Sequence, residues 1–148
     1  LHIGLNNRSY IIDDREIDRE GISYSIDTIR SIIEDYVDGK IYLIIGSDAL
    51  PSLHKWKNFL KIISLCNIIV IPRMSDDNEP IINNQVKSYF SKDLAIFHSN
   101  SYGKIFLEET SVIDISSTEI RNRLQNNQKI SNLTPPLLEK WLLSHKIY

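Results

Sequence analysis

The chain is poor in the residues that build specialised scaffolds. Its single cysteine, Cys66, excludes an intrachain disulfide framework. Five glycines and five prolines in 148 residues leave no material for collagen-like or low-complexity segments. No apolar run approaches the roughly 20 residues that span a bilayer, and no basic stretch followed by an apolar one marks a signal peptide. Membrane attachment and secretion are therefore not expected. Positive charge is not in excess either: 17 Lys and Arg against 19 Asp and Glu give a net charge of −2 and a pI near 6.1. Without a concentrated basic surface, no nucleic-acid partner is expected. One thiol and no leader point to a reducing, cytoplasmic setting.

Several catalytic signatures are also missing: there is no HExxH, CxxC, Walker loop, GxGxxG or GxSxG. The four histidines, at 2, 54, 98 and 145, lack metal-ligand spacing, so no metal site is expected. His2-Ile3-Gly4 resembles the start of a histidine-glycine-histidine motif, but Leu5 takes the second histidine's place. What is present is a globular composition, 42% hydrophobic and 24% charged with a mean hydropathy of −0.20. At this length residues 1–148 are expected to form a single domain. Isoleucine occurs 26 times against four valines and two alanines, so spacing is a better guide here than β-propensity.

Residues 10–20 read as a brief strand and a solvated loop. Beyond Ser23, Ile26, Ile29, Ile33 and Tyr36/Val37 recur every three or four residues, which predicts an amphipathic helix ending near Asp38-Gly39 with a glycine cap. Ile41-Tyr-Leu-Ile-Ile45-Gly46 is a continuous apolar run of the kind a parallel strand covered on both faces requires. Leu53, Trp56, Phe59/Leu60 and Ile63 predict a helix, and Ile68 to Ile71 a second strand closed by Pro72. Strand, helix and strand within about thirty residues form a right-handed βαβ unit. Residues 72–80, bracketed by prolines, read as a loop. A short helix over 82–90 and strands over 94–98 and 105–107 are expected next. Ser116 and Glu119 have the spacing of a capping box. Thr134 and Pro135 predict the N-cap and first residue of a last helix.

Chemistry must then reside at strand ends and helix starts. Asp48 lies two residues past the first apolar strand, at the carboxyl edge where open α/β sheets bind ligands, and it either accepts ribose hydroxyls or caps the next helix. Trp56 either stacks on a flat heterocycle or packs in the core. Ser116, Ser117 and Thr118 at a helix start, with Arg121 one turn on, suit an anion or an ordinary cap equally well. Ser23-Tyr24-Ser25, taken alone, reads as capping.

Together these residues resemble the bacterial nicotinate-nucleotide adenylyltransferase family of the nucleotidyltransferase superfamily. The resemblance lies in Glu16-Ile-Asp-Arg19 with Ser23-Tyr-Ser-Ile-Asp-Thr-Ile29, in Ile44-Ile-Gly-Ser-Asp-Ala-Leu50 with Trp56 downstream, and in Ile115-Ser-Ser-Thr-Glu-Ile-Arg121. Leu133-Thr-Pro-Pro136 and Ile147-Tyr148 look like that family's C-terminus. It implies an α/β fold, a Rossmann-like parallel sheet with flanking helices of the nucleotidyltransferase type. It also implies that Gly46 and Asp48 contact the ATP ribose, that Arg73, Ser116, Thr118 and Arg121 serve the phosphates, and that Ile115 is ATP-binding. Arg121 is then the catalytic cation. Trp56 would stack on the pyridine ring of nicotinate mononucleotide, Ser25 would hold the nicotinate end, and Lys57 would present its backbone N–H to the carboxylate.

Two departures accompany the resemblance. Met74-Ser75 replaces the usual Pro-Gly after Arg73. The family's first strand, with its GxFxPxHxGH motif, has no counterpart, so the chain is expected to be the C-terminal two-thirds of the family fold with its N-terminal part missing. The implied reaction joins ATP, with Mg²⁺, to nicotinate mononucleotide. A phosphopantetheine-type transferase, disfavoured by Trp56, and an inactive nucleotide-binding remnant are the alternatives.

Overall fold

A computed structural model describes residues 10–72, 81–109 and 115–145. The chain divides into a larger unit, Arg15–Val112, and a smaller one made of Leu1–Asp14 with Ile113–Tyr148.

The larger unit is built on three parallel strands in the order β1 (Tyr42–Gly46), β2 (Asn67–Ile71) and β3 (Ile105–Leu107). Ile45 pairs with Val70, and Ile69 with Phe106. The apolar runs that predicted β1 and β2 are thus strands, and the third expected strand is β3. β2 begins one residue before its apolar run, at a fully buried asparagine. Asn67 is tolerated there because its amide is spent in both directions: Nδ2 donates to the Asn100 carbonyl and Oδ1 accepts from the Lys104 N–H, each at 2.9 Å. This side chain ties the start of β2 to the turn that leads into β3.

Helix α1 (Ser25–Asp35) buries Ile26 and Ile29 against the core. It stops three residues short of the expected glycine. The N–H of Gly39 instead closes a turn on the Tyr36 carbonyl at 3.2 Å, and its φ is not positive, unlike that of Gly21 or Gly103. Between β1 and β2 the single helix read from the spacing is two pieces, a 3₁₀ stretch (Ser47–Lys55) and α2 (Phe59–Ile63). Pro51 lies inside the first, and Asn58, at φ 56° and ψ 40°, breaks any continuation into the second. Leu53, Phe59 and Ile63 face the core as the spacing requires, but Leu60 is exposed.

After β2 come α3 (Asn84–Lys87), a single turn, and α4 (Leu94–Ser99). The strand expected over 94–98 is therefore a helix. Asp93 decides this: its Oδ1 accepts from the N–H groups of Ala95 and Ile96, and that N-cap outweighs the β-propensity of Ile96 and Phe97. Phe97 is fully buried, with its ring 5.3 Å from that of Phe106 and 5.7 Å from that of Tyr42.

No strand occurs in residues 10–20; residues 15–17 form a turn. Arg15 fastens that segment along α1, donating to Ser31 Oγ and pairing with Asp35 at 2.8 Å. Among the described residues of the smaller unit, α5 (Ser117–Gln125) and α6 (Pro136–His145) are the helices. α6 starts one residue later than the Thr134-Pro135 signal suggested, with the Glu139 N–H bonded to the Pro135 carbonyl at 3.0 Å. Among the described residues no helix is long and apolar enough to cross a membrane.

Candidate functional site

The break between the 3₁₀ stretch and α2 determines what Trp56 does. On a continuous helix its side chain would point inward with Leu53 and Phe59. Here Trp56 is extended at φ −63° and ψ 142°, so it sits on the turn, half-buried, with one side packed on the core. Its remaining surface lines a cleft of about 280 Å³ shared with Ser23, Tyr24, Ser25, Lys55, Lys57 and Ile62. Trp56 also borders a second, larger hollow of about 690 Å³ with His54, Phe59, Lys61 and Gln85.

The opposite wall of the first cleft is the start of α1. Tyr24 is its N-cap residue and no side chain caps it; the Asp27 N–H folds back on the Tyr24 carbonyl at 2.9 Å. Ser23, the serine expected to cap, is occupied instead by Arg19, whose Nη1 donates to Ser23 Oγ and, at 3.3 Å, to Thr28 Oγ1. Thr28 donates in turn to Glu16 at 2.5 Å. This network holds the 16–19 segment on α1 and leaves the helix end facing the cleft. Lys57 connects the two walls: Nζ lies 3.8 Å from Asp27 Oδ2 and 3.9 Å from the centre of the Tyr24 ring. The cleft therefore joins Trp56, Ser25, two lysines and the positive end of an 11-residue helix. That combination suits a planar ring bearing negative charge.

Gly46 ends β1, and Asp48 is exposed on the first turn of the 3₁₀ stretch at the carboxyl end of that strand; neither lines the Trp56 cleft. Arg73 lies outside the described residues. Ile115, Ser116, Thr118 and Arg121 belong to the smaller unit, all exposed at the start of α5. Ser116 Oγ accepts from the Glu119 N–H at 3.0 Å, the first half of the anticipated capping box. The Glu119 carboxylate takes a different partner, Arg123. Arg121 Nη2 approaches Thr118 Oγ1 at 3.4 Å. Among the described residues no cluster of three or more His, Cys, Asp or Glu could hold a metal ion.

Sequence reasoning did not identify Tyr24 or Lys55 as lining the cleft, nor Asp27 as the neighbour of the Lys57 ammonium outside that lining. Nothing in their spacing distinguishes them. Cys66 is not a reactive group: it is fully buried, its Sγ is 3.4 Å from the Ile62 carbonyl, and burial pushes its thiol up to about 12.

The cytidylyltransferase-like family model matches residues 2–123. A Legionella pneumophila (strain Lens) protein named "probable nicotinate-nucleotide adenylyltransferase" is 34% identical over 140 residues, which cover 93% of this chain and 66% of that protein. A Pectobacterium atrosepticum protein of the same name is 30% identical over 146 residues, covering 96% and 68%. The Plasmodium falciparum nicotinic acid mononucleotide adenylyltransferase, solved in complex with APC, superposes with a TM-score of 0.60 at 17% identity over 87% of this chain and 60% of that one. The fold is accordingly Rossmann-like and of the nucleotidyltransferase type, a parallel sheet with flanking helices. The chain spans about two-thirds of the length of the curated relatives it matches. It belongs to the cytidylyltransferase-like family, and the Legionella and Pectobacterium relatives both carry the name probable nicotinate-nucleotide adenylyltransferase.

Proposed function

We propose that this chain is the larger part of a nicotinate-nucleotide adenylyltransferase acting in NAD biosynthesis. The 5′-phosphate of nicotinate mononucleotide attacks the α-phosphorus of ATP. A phosphate oxygen–phosphorus bond forms, the bond to the β-phosphate's bridging oxygen breaks, and nicotinate adenine dinucleotide and pyrophosphate leave. The observation that carries this reading is the cleft in which Trp56 faces the uncapped start of α1, with Ser25 and Lys57 beside it.

In this reading Trp56 stacks on the pyridine ring, and Ser25 with the Lys57 backbone holds its carboxylate. Gly46 and Asp48, at the carboxyl end of β1, take the ATP ribose. Ser116, Thr118 and the backbone after Ile115 present the start of α5 to the triphosphate. Arg121 and Arg73 add cationic charge, Arg121 being the catalytic residue. No covalent intermediate is involved, because transfer of this kind rests on alignment and charge neutralisation. Mg²⁺ enters with ATP as part of the substrate. We place the reaction in the cytoplasm and residues 1–148 within a single nucleotidyltransferase domain.

The test is pyrophosphate release by the natural full-length protein with ATP and, in separate reactions, nicotinate mononucleotide, nicotinamide mononucleotide and phosphopantetheine. Nicotinate mononucleotide is expected to be the best substrate. Preference for phosphopantetheine, or no turnover with any of the three, would overturn the proposal.

A further inference from the structure

The Trp56 cleft holds more mobile positive charge than its folding requires. Lys57 follows Trp56 directly and has no core to serve, since its side chain is about half exposed. Its two partners anchor it weakly. The contact with Asp27 is long for an ion pair at 3.8 Å and is open to solvent on both sides, and pairs this exposed constrain a lysine little. The Tyr24 ring under the ammonium adds a cation–π contact that directs the group toward the cleft without sequestering it. All three ammonium protons are donors and the group has no acceptor. An anion entering beside Trp56 and Ser25 would meet a cation already held at the cleft wall and only loosely retained by Asp27.

We propose that Lys57 is the specificity-determining residue of this cleft: its ammonium transfers from Asp27 to a carboxylate carried by a planar ring stacked on Trp56, and thereby selects the acid over the corresponding neutral amide. The inference rests on the reading given under Proposed function and extends it to a side chain. A carboxylate offers the ammonium a charge-assisted hydrogen bond, whereas a carboxamide offers only a neutral oxygen. The phosphate of a mononucleotide is common to acid and amide, so the ratio of their affinities isolates the group on the ring. Asp27 is the built-in competitor, the same chemical group as the one the ammonium leaves it for.

Calorimetric titration of the wild-type protein with nicotinate mononucleotide and with nicotinamide mononucleotide tests this. Lys57→Met is expected to lower the acid-to-amide affinity ratio about tenfold, the scale of one charge-assisted contact, and Lys57→Arg to restore most of it. Asp27→Asn is expected to raise acid affinity about threefold and leave amide affinity unchanged, since it removes the competitor alone. An unchanged ratio in Lys57→Met, or an equal loss for both ligands, overturns the proposal, because a merely structural lysine would not distinguish them. A wild-type protein that binds neither ligand overturns the functional reading and this inference with it. Binding of both with a ratio indifferent to Lys57 overturns this inference alone.

Discussion

Two helices of this chain begin beside serines, and they begin differently. At α5, Ser116 does what a serine before a helix ordinarily does: its hydroxyl oxygen accepts the Glu119 N–H at 3.0 Å. At α1 the residue in that position is Tyr24, whose side chain makes no capping bond to the first turn, and Ser23 is bonded to Arg19. One end is closed by its own side chain, and the other is left facing a cleft with an indole and two lysines. A cap answers only one of the four orphan N–H groups, so α5 keeps donors for an anion too. The contrast separates two kinds of helix start: α5 offers a capped dipole end with Arg121 nearby, whereas the start of α1 carries no side-chain cap and borders the Trp56 cleft.

The largest effect that could break this contrast comes from Trp56→Ala. Aromatic stacking on a base is worth about 1–3 kcal/mol, so nicotinate mononucleotide affinity is expected to fall roughly 5- to 150-fold by calorimetry. A loss below twofold would make the start of α1 no more of a binding site than the start of α5. Cys66 supplies the control that separates loss of fold from loss of either helix start. Its thiol, raised by burial from 9.0 to about 12, stays protonated in the folded chain at pH values where the unfolded chain has already released the proton. The stability it contributes is complete below pH 9 and is lost as pH rises toward 12, by at most about 1.4 kcal/mol per pH unit. Denaturant unfolding from pH 8 to 10.5 should therefore fall more steeply for the wild type than for Cys66→Ala. Parallel curves for the two proteins would contradict it.

What was legible in the sequence follows the same line between elements that satisfy themselves and elements that depend on their surroundings. β1 and β2 were readable as strands because a continuous apolar run of strand length favours a parallel strand. The cover expected on both faces is absent at Ile44 of β1, which is 65% exposed. The Ser116 cap was readable because it is a local bond between residues three apart. The helix drawn through Leu53, Trp56 and Ile63 was misread because apolar spacing does not record that Asn58 adopts a left-handed conformation. That one residue turns Trp56 from a core position into a cleft wall. Leu94 to His98 was misread because the deciding group, Asp93, lies outside the apolar pattern. The resemblance brought Ser25, Trp56 and Lys57 to one site, and the structure does place them around one cleft. It could not foresee Asp27 or Tyr24, whose roles depend on where the Lys57 ammonium comes to rest.

The smallest and sharpest comparison substitutes one serine at each helix start. Ser116→Ala removes a cap and is expected to cost about 1 kcal/mol of stability, read as a lower denaturant midpoint with an unchanged slope. Ser25→Ala removes a hydroxyl that makes no capping bond, so its stability should stay within about 0.5 kcal/mol of wild type. Its effect should appear in the cleft instead, as a roughly 2- to 12-fold weaker affinity for nicotinate mononucleotide, the scale of one neutral hydrogen bond. The two outcomes are mirror images, one in stability without that binding, the other in binding without stability. Equal losses of stability in both variants would mean that α1 is capped in solution after all, and that its serines serve the helix rather than a ligand.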